Sequence, residues 1–188
     1  MSRRLRILTN MAFWQSEAWC AATDSLYDVA ARRDPVFRPW WREALELWRR
    51  AGHYDVVVTM GVRESMAYGL LCLLTGRPSR QVMCEVFIDA PRRGPRWALK
   101  NALYRRVAAR ALGLLANSSG EVPTIARRYA LPLERVRYVP LNTTIALPAL
   151  AATDDGFVLS AGRTLRDYAS LLQAAPRWRT PVIIICGR

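Results

Sequence analysis

Seven short runs dense in Val, Ile and Leu punctuate this chain, and they are apolar almost throughout instead of alternating with polar residues. They are LRILT (5–9), DVVVT (55–59), QVMCEVFI (81–88), LGLLAN (112–117), RVRYVP (135–140), FVLSAG (157–162) and PVIIIC (181–186). Strands read this way when helices cover both faces of a parallel sheet, because neither face has water to satisfy. Between the runs lie longer segments of helical periodicity, predicted at 16–31, 40–51, 64–74, 96–111 and up to Tyr129. Strand, turn, helix and strand in repetition define an α/β class, here a Rossmann-like parallel sheet with helices on both faces over residues 1–140.

The rhythm breaks at LNTTIALPALAATDDG (141–156), which is rich in Pro, Ala and Thr and reads as an interdomain linker. Strand-helix-strand logic then restarts over 157–188. Thr164 followed three residues later by Asp167 approximates a capping box and predicts a helix start at Thr164. A single βαβ unit cannot enclose a core, so 157–188 is expected to be the beginning of a second, incomplete Rossmann-like unit.

Lys and Arg number 28 against 15 Asp and Glu, a formal charge of +13, so the surface is expected to attract polyanions. The four cysteines, Cys20, Cys72, Cys84 and Cys186, show no CxxC or CxxH pairing, which indicates neither a zinc site nor a disulfide framework. Asp154 and Asp155 do not form an Asp-x-Asp metal motif, and no metal or cofactor is inferred. The basic start MSRRLRILTNMAFWQSE is interrupted at Thr9 and Asn10, unlike a secretory signal, and no run reaches the roughly 18 apolar residues of a membrane span. The expectation is a cytoplasmic protein, with a peripheral position on the inner face of the plasma membrane as its extension.

The stretch LLANSSGEVPTIARRYALPLERVRYVPLNTT, followed after a gap by DDGFVLSAGRTLRDYASLLQAAPRW, resembles the junction between the two domains of GT-B fold glycosyltransferases of the family 4 type. The resemblance lies in the order strand, Ser-bearing turn, helix, RVRYVPLN and linker, then a strand ending in Gly162 and Arg163. It implies an N-terminal acceptor-side domain at 1–140, a linker at 141–156 and the start of a nucleotide-sugar-binding domain at 157–188. It also implies transfer of a sugar from a nucleotide diphosphate sugar to an acceptor hydroxyl, including a lipid-linked or cell-envelope polysaccharide acceptor. In such a reaction negative charge builds on the leaving diphosphate, and fixed cations lower the barrier. The resemblance therefore places Arg163 at the phosphates, with the Gly162 backbone beside it and Arg166 assisting. The chain departs from the family at Tyr168 and Ala169, where a Lys is usual, and in TNMAFWQSEAW, where many members carry a Gly-rich loop. The family's pair of donor-binding Glu residues would fall beyond residue 188, so this chain alone is expected to bind nucleotide sugars weakly and to be inactive.

On the acceptor side, two-residue periodicity predicts Met83, Glu85, Phe87 and Asp89 on one face of the third strand. A carboxylate within a covered sheet is costly unless it is paired or faces a cleft, and Asp89 stands where open α/β sheets bind their ligands. Asp89 and Glu85 are thus candidate general bases for an inverting transfer, with ion pairing to Arg92 or Arg93 as the structural alternative. His53, the sole histidine, lies at the amino end of its strand, the wrong side for the cleft, and is expected to be a surface or capping residue. The segment 92–110 carries Arg92, Arg93, Arg96, Lys100, Arg105, Arg106 and Arg110 without one acid, and Trp97, Leu103, Tyr104, Val107 and Ala111 supply an apolar counterpart. Such a helix suits an anionic membrane surface, and Trp40, Trp41 and Trp48 form a second aromatic-basic cluster. Nucleic acid would satisfy the charge equally, but no helix-turn-helix, zinc finger, RNP or GxxG pattern accompanies it. A catalytically inactive membrane-peripheral scaffold of the same fold is the alternative function.

Overall fold

Six strands pair in parallel to form the sheet of the first of two units, Met1–Thr144 and Ile145–Arg188. The computed structural model describes residues 4–33, 35–36, 38–86, 93–140, 154–162 and 167–186. In chain order the first unit contains β1 (Ile7–Thr9), α1 (Glu17–Ala22), β2 (Asp24–Ser25), α2 (Trp40–Arg50), β3 (Val56–Thr59), α3 (Val62–Leu74), β4 (Gln81–Met83), α4 (Pro95–Arg110), β5 (Gly113–Ala116), α5 (Val122–Tyr129) and β6 (Val136–Tyr138). The strand order is β2-β1-β3-β4-β5-β6, a Rossmann-like α/β arrangement. Register aligns Leu8 with Val57 and Val57 with Gln81, and then Met83 with Leu114 and Leu114 with Val136.

Alternation along the strands decides which side chains form the core. Val57, Thr59, Gln81, Met83, Leu114, Ala116 and Val136 are buried, while Val56, Val58, Val82 and Leu115 on the opposite face are half-buried. The buried face packs against α2 to α5 in two clusters. One joins Leu8 and Val57 to Ala44, Leu47, Tyr68 and Cys72; the other joins Met83, Leu114 and Val136 to Met66, Val107, Ala108 and Ile125. Helix α3 contributes to both and so ties the halves together. Helices α2 to α5 therefore share the face to which Val57, Met83 and Leu114 point, whereas α1 buries no residue.

The helix predicted over 16–31 ends at Ala22, because polar side chains there take over the backbone. The Thr23 hydroxyl donates to the Trp19 carbonyl at 2.9 Å, Ser25 Oγ donates to the Met11 carbonyl at 2.8 Å, and Asp28 caps a single 3-10 turn at Val29–Ala31. The strand predicted over 81–88 is also shorter. Its ladder ends when Cys84 N–H donates to the Thr59 carbonyl at 2.9 Å, since β3 turns away at Met60 and leaves no partner. Phe87 and Ile88 lie outside the described residues.

The second unit contains β7 (Val158–Ala161), α6 (Tyr168–Ala174) and β8 (Val182–Ile185), the two strands being parallel. Asp167 is the N-cap of α6, accepting from Ser170 N–H at 3.0 Å and from the Ser170 hydroxyl at 2.6 Å, so the predicted cap at Thr164 is displaced to Asp167. An aspartate competes well for that place because its charge also faces the positive end of the helix. Thr164 lies outside the described residues, as do 141–153 of the predicted linker.

Candidate functional site

The carboxyl ends of parallel strands are where backbone turns outward and leaves an open crevice. At the ends of β1, β3 and β4 this chain has a cavity of about 640 Å³ whose lining includes Asn10, Met11, Phe13, Arg38, Glu43, Met60, Gly61, Glu64 and Glu85. Asn10 builds its floor. The Asn10 Nδ2 donates to the Met60 carbonyl at 2.9 Å and to Glu43 Oε2 at 2.7 Å, and its Oδ1 accepts from Met60 N–H at 2.8 Å. One amide therefore clips the exits of β1 and β3 together and fixes a carboxylate from α2.

Glu43 is 3% exposed, although it stands in the first turn of a helix where carboxylates usually face water. Its position follows from spacing, because Glu43, Ala44 and Leu47 are the three residues that α2 buries. Both carboxylate oxygens accept hydrogen bonds, Oε2 from Asn10 and Oε1 from the Tyr27 hydroxyl. Burial first, and then the bond to Glu43, pushes the Tyr27 phenol up to about 12. Arg38 closes this corner: its backbone N–H donates to Tyr27 Oη at 3.2 Å and its guanidinium lies 6.0 Å from the Tyr27 ring centre.

Glu64 occupies the first turn of α3 and folds back toward Gly61, where an added Cβ would overlap Glu64 Oε2. Gly61 itself has φ of +88°, which lets β3 reverse sharply into α3. Glu85, predicted as a mid-strand carboxylate, lies two residues past the end of β4 and borders the cavity half-buried. Its desolvation is therefore relieved by the open crevice. Asp89 lies outside the described residues. Among the described residues three carboxylates thus line one cavity, with Asn10 and the apolar surfaces of Met11, Phe13 and Met60 in the same lining. Among the described residues no three His, Cys, Asp or Glu side chains converge closely enough to hold a metal ion.

Sequence reasoning singled out Glu85 and missed Asn10, Tyr27 and Glu43. A signal for Glu43 was present, since a lone acid inside the apolar stripe of a helix is expensive unless it has buried partners. Asn10 carried none, because its three bonds connect residues 33 and 50 positions away.

A second cavity, of about 610 Å³, lies beside α3, α4 and α5 and shares Glu64 with the first. Among the expected membrane-contact residues, Trp97 and Lys100 line it, while Arg93, Arg96 and Arg105 are exposed and Arg92 lies outside the described residues. The Trp97 ring is capped by the Arg128 guanidinium at 4.6 Å and is half-buried, and Arg105 Nε donates to the Arg128 carbonyl at 2.9 Å. Leu99, by contrast, is 63% exposed between Arg96 and Arg106. Trp40 and Trp41 are exposed, but Trp48 is fixed internally: its Nε1 donates to Thr75 Oγ1 at 3.2 Å beneath the Arg77 guanidinium. His53 is exposed at the end of the 3-10 turn before β3, at the amino end of that strand and away from the crevice. Among the described residues no helix is long and apolar enough to cross a membrane.

In the second unit, Gly162 N–H donates to the Ile185 carbonyl at 3.0 Å, and the Gly162 carbonyl accepts from the Tyr168 hydroxyl at 2.6 Å. Its amide is spent on the sheet ladder and is not available to an anion. Tyr168, at a place where the resemblance leads one to expect a Lys, ties the end of β7 to the start of α6. Arg163 and Arg166 lie outside the described residues. No family model matches the chain, and no curated protein matches it.

Proposed function

We propose that this chain is the acceptor-binding part of a glycosyltransferase that moves a sugar from a nucleotide diphosphate sugar to an acceptor hydroxyl. The observation that carries the reading is the crevice at the carboxyl ends of β1, β3 and β4, where Glu43, Glu64 and Glu85 share one cavity with Asn10 and Phe13. Carboxylates accept hydrogen bonds from sugar hydroxyls, and apolar side chains in the same lining cover the C–H faces of a ring. Glu43 has both oxygens engaged, so its part is to orient Asn10 and receive additional hydroxyl bonds. Glu85 borders the cavity and is the candidate general base.

In an inverting transfer the acceptor oxygen forms a bond to the anomeric carbon as the bond from that carbon to the diphosphate breaks. The acceptor proton passes to Glu85, and the electron pair leaves with the diphosphate. By the resemblance, Arg163 and Arg166 would neutralise that leaving charge. Exposed Leu99 among Arg93, Arg96 and Arg106, together with exposed Trp40 and Trp41, supports a peripheral position at an anionic membrane surface.

Ligand-observed NMR titration with a panel of neutral methyl glycosides tests the acceptor site without requiring a donor. Weak binding to the wild type and its loss in Glu85→Gln and Glu64→Gln variants is the expected result. A folded protein that binds no glycoside, or variants that bind as well as the wild type, would sink the reading.

A further inference from the structure

Three arginines and the sole histidine gather at the end of the sheet opposite the crevice. At the amino ends of β3 and β4 lies a further cavity, of about 370 Å³, whose lining includes Trp48, Arg49, His53, Cys72, Arg77 and Arg80 and, among the described residues, no carboxylate. Helix α2 supplies Trp48 and Arg49 from its last turn, the 3-10 turn Ala51–His53 supplies the histidine, and the segment between α3 and β4 supplies Arg77 and Arg80. Cations that converge from three segments differ from a solvated charge run, whose members share one helix face.

The contacts these arginines make leave their charge intact. The Arg77 guanidinium covers the Trp48 ring at 4.2 Å and donates from Nη1 to the Trp48 carbonyl at 3.5 Å, and Arg80 Nη1 donates to the Tyr54 carbonyl at 2.7 Å. Both acceptors are uncharged, and a guanidinium with five N–H groups keeps most of its donors after one such bond. The Arg49 side chain makes no hydrogen bond or ion pair among the described residues. Cys72, 2% exposed, adds no opposing charge, because burial raises its thiol above the ordinary value. Arg80 also has φ of +46°, a left-handed backbone that a residue with a Cβ rarely adopts. Such strain persists where its surroundings fix it and gathers at ligand sites; here it sets a guanidinium across the start of β3.

We infer that this cavity binds a small phosphate ester, its phosphate held by the forks of Arg49, Arg77 and Arg80 with a His53 ring N–H as a further donor. Planar guanidinium forks match phosphate oxygens in pairs. The volume falls within the roughly 300–1,000 Å³ of small-molecule pockets and exceeds a bare phosphate, so the ligand carries a body of about the size of a sugar. The site stands apart from the glycosyl-transfer reading, since the crevice lies at the other end of the strands. A soluble sugar phosphate and a lipid phosphate headgroup present the same chemistry.

Calorimetric titration of the full chain with inorganic phosphate and with a hexose phosphate forms the first arm of the test. The second is sedimentation with phosphatidylcholine vesicles containing phosphatidic acid, with phosphatidylcholine alone as the blank. Arg49 is exposed, so Arg49→Gln is expected to melt like the wild type. It should weaken the bound anion about tenfold or more, the loss of one charge-assisted hydrogen bond, and Arg49→Lys should restore part of it. Arg137→Gln, which removes the same charge from the exposed part of β6, should bind like the wild type. Arg49-dependent binding in the first arm identifies a soluble phosphate ester; Arg49-dependent binding in the second alone identifies a lipid phosphate. If neither arm binds, if Arg49→Gln binds unchanged, or if Arg137→Gln weakens binding as much, the site is overturned.

Discussion

Glu43 concentrates the cost of building the crevice into one side chain. Glu43→Ala would leave the Tyr27 hydroxyl and the Asn10 amide buried without their acceptor, at about 2–4 kcal/mol, whereas Glu43→Gln keeps one acceptor and should cost about half as much. Chemical denaturation of the two variants measures the difference. Tyr27 gives the same network a pH signature. Its phenol titrates higher in the folded state than the ordinary value of 10.0, so its stabilising effect is complete below pH 10 and is lost as pH rises toward about 12. Alkaline unfolding should therefore steepen across that window, and Tyr27→Phe should remove the steepening. Gly61 is the other sensitive position. At φ of +88° and against Glu64, an alanine is strained and displaces the carboxylate, so Gly61→Ala should cost about 1–3 kcal/mol and shift the thermal midpoint down.

Helix α3 is the element on which both core clusters depend, and its contact with α4 is close because of Gly69. A Cβ added there would overlap Val107 Cγ1, a buried side chain with little room to yield. Gly69→Ala is expected to destabilise by about 1–3 kcal/mol through overpacking, and adding Val107→Ala should recover part of the loss. Behind this contact Gln81 donates from Nε2 to Thr59 Oγ1 and to the Ser65 carbonyl, both at 2.9 Å, which locks α3 against β3 and β4. Element type was largely legible because helical and strand periods differ. Element ends were not, since polar side chains such as Thr23, Ser25 and Asp167 set them by bonding the backbone.

The two units differ in how much structure each can support. Among the described residues, unit one joins six strands and four packed helices around two clusters, while unit two has a two-stranded sheet in which Leu159, Ile183 and Ile185 remain exposed. A two-stranded sheet is marginal in water on its own. A chain ending at residue 144 is therefore expected to unfold cooperatively near the midpoint of the whole chain, and a 145–188 peptide to give a largely unfolded circular dichroism spectrum. A folded peptide, or a collapsed first unit, would contradict this division of stability.

The class of fold was written in the sequence. Apolar runs such as DVVVT and LGLLAN, separated by helical segments, admit few arrangements other than a parallel sheet with helical cover, because each run must bury its backbone and both side-chain faces. That Glu85 borders a cleft was also legible, since a carboxylate inside such a run calls for a partner or a cleft. The tertiary structure alone decided which acids share a cavity. Glu43, Glu64 and Glu85 come from three separate elements, and Asn10 joins two strand exits that no local pattern connects. Periodicity reports how a segment relates to its own faces. A site is assembled where chain ends converge from far apart, and that convergence belongs to strand order and register.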